Sequence, residues 1–315
     1  MPARKRPLRG SRGFYPKKRA KRIYPRIKHW PDLLTNKLLG FAGYKVGMTH
    51  VLVIDTNPNT RTRGQPISRA VTILDCPSLK VFGFRCYNKS ETASDIISEK
   101  LDKRLERKIK VPKQIKPKEL PKEITAVRAL CHTQPGFKKK PEIFELAIGG
   151  SVEKQLEYTK SMLGKEIKIS EIFKQGDFVD VLAVTKGKGF SGPVKRFGVR
   201  MHGRKAEQMH RHVAPLGQKE PGKVRPTVPQ AGQLGFQTRT ELNKKILEIG
   251  FDANKISQSG GYLNYGKISG EYVLIQGSVP GPRKQLIMLR SAIRPLEERY
   301  PVDIKYISTK SKQGI

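Results

Sequence analysis

Acidic residues are few in this sequence, and it contains no long apolar segment. The chain has 27 Asp and Glu against 63 Lys and Arg, a formal net charge of +36 over 315 residues. A compact chain with so large a charge repels itself unless a polyanion is close by. No apolar stretch reaches the roughly 18 residues that a helix needs to cross a membrane. The basic start is followed by no apolar stretch either, so we expect no secretory signal.

Cysteine is scarce as well. The three cysteines, Cys76, Cys86 and Cys131, are widely separated, and no two of them form a Cys-x-x-Cys pair. This spacing argues against a zinc ribbon and against a disulfide framework. We predict that the three thiols are reduced and buried in a cytoplasmic protein.

Basic residues are abundant, and one concentration of them lies at the N-terminus. Residues 1–31 contain twelve Lys or Arg and no acid, and such a segment cannot bury enough apolar surface to fold alone. Nucleic acid is the expected partner, because each neutralised phosphate also releases a counterion. Trp30 could stack on an unpaired base or pin the segment to its own domain. The predicted RNA-binding residues here are Arg4, Lys5, Arg6, Arg9, Arg12, Lys17, Lys18, Arg19, Lys21, Arg22 and Trp30.

The middle of the chain has mainly strand signals. Aliphatic and β-branched runs bounded by turn residues predict strands over 46–54, 71–74, 81–87, 178–185, 272–276 and 286–289. The four-residue spacing of Ile97, Leu101 and Leu105 predicts an amphipathic helix over 90–110, and Ser151 is a candidate N-cap for a second helix. Strands on both sides of a helical insert predict a β-barrel or sandwich interrupted by an α+β subdomain.

A long excursion, residues 187–240, separates two predicted strands and has neither strand nor helix periodicity. It opens with Gly187-Lys188-Gly189-Phe190-Ser191-Gly192, which fits the dinucleotide fingerprint G-x-G-x-x-G. That fingerprint must open a helix, and Pro193, Gly198 and Gly203 argue against one; no Gly-Lys-Ser/Thr completes a Walker loop either. The glycines would instead let backbone amides approach a phosphate.

We therefore predict an RNA-binding surface along this excursion, with no catalytic residue, metal or cofactor. The three histidines lie near no Cys or Asp in the sequence, so hydrogen bonds to phosphate or 2′-hydroxyl groups are favoured over zinc. The predicted members are Lys186, Gly187, Lys188, Gly189, Gly192, Lys195, Arg196, Arg200, His202, Arg204, Lys205, His210, Arg211, His212, Lys219, Lys223, Arg225 and Arg239.

The start of this excursion and the strand before it resemble a known family. The large-subunit ribosomal protein L-three family has a signature that this chain matches, spacing included, at Phe173, Asp180, Ala183, Thr185, Gly187-Lys188-Gly189, Gly192 and Arg196. Residues 43–49 and 230–235 match the family as well. The resemblance extends over nearly the whole chain and is to the archaeal and eukaryotic branch.

The resemblance implies a mainly β fold: a closed six-stranded, translation-factor-like β-barrel with an inserted α+β subdomain and long basic extensions. The implied divisions are an N-terminal extension (1–40), the barrel (41–84 and 171–290), the insert (85–170), a basic loop (198–235) and a C-terminal segment (291–315).

The resemblance also implies a function. It is that of a structural component of the large ribosomal subunit, which binds 23S-type rRNA early in assembly beside neighbouring ribosomal proteins. The tail and the loop would run toward the peptidyl transferase centre. No enzyme activity, membrane or small-molecule substrate is expected. The alternative is a sequence-nonspecific, chromatin-like nucleic-acid-binding protein, since basic charge alone does not distinguish RNA from DNA.

The loop departs from the family at its tip. Many members have a Trp there, before a Pro, and the alignment places Lys219 at that position. An ammonium group offers charge but no face for stacking, so we expect a phosphate contact instead. Glu207 lies nearest to the position of the His that eukaryotic members methylate.

The charge makes binding to rRNA fragments steeply salt-dependent. For about six to ten phosphate contacts, affinity should fall by about three to five decades between about 50 and 200 mM salt. Filter binding over that range measures the slope. An affinity that does not change with salt would mean that phosphate neutralisation is not the main contribution to binding.

Overall fold

The structure is a computed structural model, and it describes residues 14–89, 91–99, 101–111, 120–121, 123–207, 209–213, 216–220, 222–296 and 302–311. Within these ranges the chain is mainly β, as predicted. The strands are β1 (Gly40–Ile54), β2 (Pro66–Asp75), β3 (Leu79–Asn88), β4 (Glu91–Ile97), β5 (Ala126–Thr133), β6 (Ile143–Ala147), β7 (Glu166–Ile167), β8 (Phe178–Val184), β9 (Phe190–Ser191), β10 (Gly232–Gln233), β11 (Thr238–Gly250), β12 (Tyr272–Gln276), β13 (Leu286–Ser291) and β14 (Asp303–Ile307). The helices are α1 (Val152–Met162), α2 (Ile169–Ile172) and α3 (Pro193–Phe197), with 3₁₀ turns at Lys103–Arg107 and Ala253–Lys255.

The larger sheet has the strand order β13-β8-β11-β12-β2-β1-β14, and β1 pairs with β13 as well. β1 is long enough to serve two partners on one side. Its first part, Gly40 to Tyr44, pairs antiparallel with β13, and its last part, Val51 to Ile54, pairs with β14. Because β1 also pairs with β13, the first strand of this order is hydrogen-bonded to the sixth.

A smaller sheet has the order β4-β3-β5-β6, with β7 also paired to β3. Its inner residues Val81, Cys131 and Leu146 belong to the same hydrophobic cluster as Tyr44 and Ile73 of the larger sheet. The described residues of 24–183 and 240–315 accordingly form one compact unit. All three cysteines are buried and unpaired in it, as the sequence predicts.

The helix predicted over residues 90–110 is wrong. Glu91–Ile97 forms strand β4, which pairs antiparallel with β3, and only the 3₁₀ turn Lys103–Arg107 follows. Of the apolar residues at the four-residue spacing, Leu105 is the one that is fully buried. β4 ends in Ile96 and Ile97, β-branched residues that suit a strand, and pairing with β3 overrides the local helical pattern.

Other predicted elements are confirmed. All six predicted strands lie within β1, β2, β3, β8, β12 and β13 or end one residue beyond them. Helix α1 begins after Ser151, which is its N-cap residue as predicted. The backbone carbonyl of Ser151 accepts a hydrogen bond from the N–H of Gln155, but its side chain makes no capping hydrogen bond. Strands β5, β6, β11 and β14 were not predicted. In the case of β11, polar and charged residues occupy most of the first half, so no apolar run marks it.

A buried ion pair connects three parts of this unit. Arg290 on β13 donates to Asp180 on β8 at 2.6 Å, and their side chains are only 6% and 1% exposed. Arg290 also donates to the carbonyl of His29 (2.7 Å). Asp180 accepts from the backbone N–H of Asn243 (3.1 Å). Asp180, a signature residue, therefore connects β8 with β13, with β11 and, through Arg290, with the segment before β1.

Trp30 lies in that same segment and packs on the core. A Cβ on Gly40 would come within 2.9 Å of the indole ring, and Trp30 contacts the main hydrophobic cluster. Of the two interpretations open for Trp30, these contacts favour the one in which it pins the segment to its own domain. An RNA contact by Trp30 stays a prediction.

Replacing Arg290 with Met should destabilise the fold by about 3–5 kcal/mol, because the buried Asp180 carboxylate would lose its cation. The matched control is Lys244→Met, which removes a more exposed ion pair with Glu241 and should cost about 1 kcal/mol or less. Urea unfolding of the full chain measures both. Equal losses of stability for the two variants would contradict a special role for the buried pair.

Candidate nucleic-acid interface

A second compact unit combines the beginning of the described chain with the long excursion. It comprises residues 14–23 and 184–239 among those described, and these segments hold 17 Lys or Arg but only two acids, Glu207 and Glu220. Five predicted RNA-binding residues, Arg4, Lys5, Arg6, Arg9 and Arg12, lie outside the described residues.

The base of the excursion is an ordered two-stranded ribbon, although its sequence has no strand periodicity. Thr185 donates from its N–H to the carbonyl of Gln237 (2.9 Å) and accepts from the N–H of Gln237 at its hydroxyl (3.2 Å). Further out, Leu234 receives a bond from the N–H of Lys188 and gives one to the carbonyl of Gly189, both at 2.9 Å. β9 and β10 then pair. Strands of two residues are too short for a periodic pattern to reveal them.

Two glycines of this ribbon are required by the backbone. Gly189 has φ +64° and Gly235 has φ +71°, a region that side chains disfavour. A Cβ on Gly235 would also overlap the carbonyl oxygen of Lys186. Gly187 is different, since a Cβ there would make an ordinary 3.5 Å contact with Phe236. Gly235 had no role predicted from the sequence, although it lies in the matched segment 230–235.

Arg196 is a structural tie in this ribbon. Its Nε donates to the carbonyl of Gln233 (3.1 Å) and its Nη1 to that of Gln230 (2.9 Å). The guanidinium also lies 5.1 Å from the ring centre of Phe197. A Cβ on Gly232 would come within 2.9 Å of Nη1. These bonds use donors that were predicted from the sequence to contact phosphate, and they give signature residue Arg196 a role in holding the ribbon's return arm.

The N-terminal tail packs on this ribbon. Ala20 donates to the carbonyl of Phe236 (2.8 Å), and the Arg239 guanidinium lies 4.9 Å from the Phe14 ring. Lys17 Nζ lies 5.1 Å from the Tyr15 ring centre. Burial, and then the positive charges of Arg239 and Arg196, lower the pKa of Lys17. These aromatic rings of the tail thus contact cations of the protein itself.

The three histidines of the loop organise a turn. His202 and His212 stack, with ring centres 4.5 Å apart and an angle of 15° between planes. His202 donates from its backbone to the carbonyl of His210 (3.0 Å), and His210 Nδ1 donates to the carbonyl of Gly203 (3.0 Å). Within the described ranges, no cluster of His, Cys, Asp or Glu could hold a metal ion.

Most predicted cations remain exposed. Lys219 is among them. It lies in a turn that is closed by a hydrogen bond from the N–H of Gly222 to the carbonyl of Lys219 (2.7 Å). The exposed set is Lys18, Arg19, Lys21, Arg22, Lys186, Lys188, Lys195, Arg200, Arg204, Lys205, Arg211, Lys219, Lys223 and Arg225. In the part of the chain that the structure describes, no helix is long and apolar enough to span a membrane.

The mainly β fold and the second unit, rich in exposed cations and poor in acids, define a strongly basic protein of the composition typical of nucleic-acid-binding proteins. Comparison with known proteins identifies the family. The model for ribosomal protein L3 matches residues 1–111 and 96–314. The chain therefore belongs to the ribosomal protein L3 family, as its signature residues indicated.

Archaeal relatives match along nearly the whole chain. The large ribosomal subunit protein uL3 of Archaeoglobus fulgidus is 47% identical over 328 residues, which cover 98% of each chain. The protein of the same name from Methanocaldococcus jannaschii is 46% identical over 330 residues, again 98% of each. That from Thermoplasma volcanium is 46% identical over 325 residues, 97% of each.

Gly235→Ala should loosen the ribbon. A side chain at this positive φ costs about 1–2 kcal/mol before any clash, so the Leu234 amide should exchange about tenfold faster or more. Gly187→Ala is the control and should leave that exchange unchanged. Hydrogen exchange of the full chain measures both variants, and equal protection in the two would show that Gly235 is not required.

Proposed function

We propose that this chain is a structural constituent of the large ribosomal subunit and binds large-subunit rRNA through the exposed cations of its tail and loop. One observation carries the proposal: an L3-family chain holds 17 basic and two acidic residues in the unit formed by 14–23 and 184–239. Phosphate contacts of this kind position RNA without reading its sequence. Members of this family are ribosomal structural proteins and not enzymes.

The closed six-stranded barrel is part of the proposal. The β1–β13 pairing supports it, because that pairing joins the ends of the six-strand order from β13 to β1. We further propose that the barrel comprises 41–84 and 171–290 and that 85–170 is an inserted subdomain. It would dock on folded rRNA, beside neighbouring ribosomal proteins, early in subunit assembly.

The loop is proposed to extend toward the peptidyl transferase centre. Lys219 supports a phosphate contact at the loop tip, because it is exposed, lies in a tight turn and carries a compact charge. The exposed cations on either side of it would neutralise phosphates where RNA helices crowd together.

Sedimentation of ribosomal particles tests the function as a whole. The full chain, added to a reconstitution of large subunits, should co-sediment with them on a sucrose gradient at a ratio of about one per particle. A chain that travels instead with bulk DNA, or stays at the top of the gradient, would contradict the proposal.

A charge-neutralised loop tests the interface. The triple variant Lys219→Gln, Lys223→Gln, Arg225→Gln should lower the slope of log affinity against log salt by about one unit for each phosphate that the variant no longer neutralises, about three in all. Filter binding to rRNA fragments at several salt concentrations measures it.

The control for this variant neutralises three exposed cations elsewhere, Lys103, Arg107 and Lys110. It removes the same net charge and should change the slope less. If the two triple variants behave alike, the loop has no privileged part in RNA binding.

A further inference from the structure

Three cations crowd together where the tail meets the base of the loop. Lys17 Nζ lies 5.6 Å from the ring centre of Phe197, and the Arg196 guanidinium lies 5.1 Å from the same centre. The guanidinium of Arg239, on the other arm of the ribbon, lies 4.9 Å from the ring centre of Phe14 in the tail. Like charges that folded segments bring into one neighbourhood repel each other. Such crowding is typical of sites that receive an anion.

Two polar groups, on residues that contact Lys17 and Arg239, have no hydrogen-bond partner. The Tyr15 hydroxyl and the Gln237 side-chain nitrogen are both shielded from solvent and unpaired in the structure. The Tyr15 ring faces Lys17, and the Gln237 oxygen lies 3.5 Å from an Arg239 nitrogen that donates to it. Buried donors without an acceptor are rare in folded proteins. Both groups can donate, and what they lack is an acceptor.

We propose that Tyr15, Lys17, Gln237 and Arg239 form a site for one phosphate group, together with the Nη2 of Arg196, which its bonds to the Gln230 and Gln233 carbonyls do not use. A phosphate bound there holds the tail on the loop. Charged and neutral donors reach the site from the tail and from both arms of the ribbon. A tetrahedral oxyanion can accept from several directions at once and can offset the three charges. The inference rests on the proposed function, since an rRNA backbone phosphate is the intended ligand. We call the tail–loop contact that this phosphate would hold together the clasp.

The clasp has a local reporter. Ala20, three residues after Lys17, donates its N–H to the carbonyl of Phe236, next to Gln237. This bond joins tail to loop, so its protection from hydrogen exchange follows tail docking. If phosphate neutralises the crowded cations, exchange at Ala20 should slow when phosphate is added.

The experiment is hydrogen exchange on the full chain at constant ionic strength, with inorganic phosphate compared against acetate. Phosphate should slow exchange at Ala20 by about tenfold or more, the effect expected when charged groups gain hydrogen bonds. Arg239→Gln should lose most of this response. Tyr15→Phe, which keeps the ring and removes only the unpaired hydroxyl, should reduce it.

Lys18→Gln is the matched control. Lys18 is the exposed neighbour of Lys17, and its replacement removes the same charge from the same segment, so the phosphate response should persist. The inference is overturned if phosphate and acetate protect Ala20 equally, or if Lys18→Gln loses as much of the response as Arg239→Gln.

A parallel arm uses an rRNA fragment as the probe. Protection of Ala20 by both RNA and free phosphate supports a site for the phosphate group itself. Protection by RNA alone, with no effect of free phosphate, overturns that site, because the tail would then be held by other RNA contacts. RNA binding with unchanged exchange at Ala20 overturns the clasp and leaves the proposed function standing. Absence of RNA binding in the wild-type chain would refute the proposed function itself.

Discussion

Uncompensated positive charge is the constraint on which the structure of the tail and loop depends. With two acids among so many cations, this unit cannot be held together mainly by ion pairs. Backbone hydrogen bonds, the Arg196 guanidinium on two carbonyls, and aromatic rings beside Lys17 and Arg239 connect it instead. Each of these contacts leaves the positive charge in place. The charge is then available to phosphates, which are a large source of affinity in nucleic-acid binding.

In the larger unit the constraint is different, because buried polar groups there need hydrogen-bond partners inside a packed core. The Asp180–Arg290 pair does so by accepting and donating several bonds at once. Arg85 forms a similar but more exposed network with Asp95 and Glu145. Such pairs are weak evidence of added stability, but removing one partner is strongly destabilising. Opposite charges thus pair between strands of the same sheet in this unit, while excess positive charge concentrates in the other unit.

These contacts explain in physical terms why three signature residues of the family occupy their positions. Asp180 is the acceptor at the junction of β8, β13 and β11. Gly189 supplies a left-handed backbone conformation, and Arg196 holds the return arm of the ribbon. These roles are structural. The RNA contacts that we propose fall mainly on exposed cations outside the signature, and Lys219 is one of them.

Residue types and their spacing were enough to establish the mainly β class, the family and the concentration of charge, because each of these depends on the order of residues along the chain. The same local patterns placed six strands and helix α1. Other features arose only when distant segments met in the fold. Residues 91–97 became a strand because β3 offered a pairing edge, and Trp30 packed on Gly40 because the segment before β1 packs against the core. Lys17 and Arg196 lie beside the same Phe197 ring, and Arg239 lies beside Phe14. These contacts join positions far apart in sequence, and no local pattern encodes them.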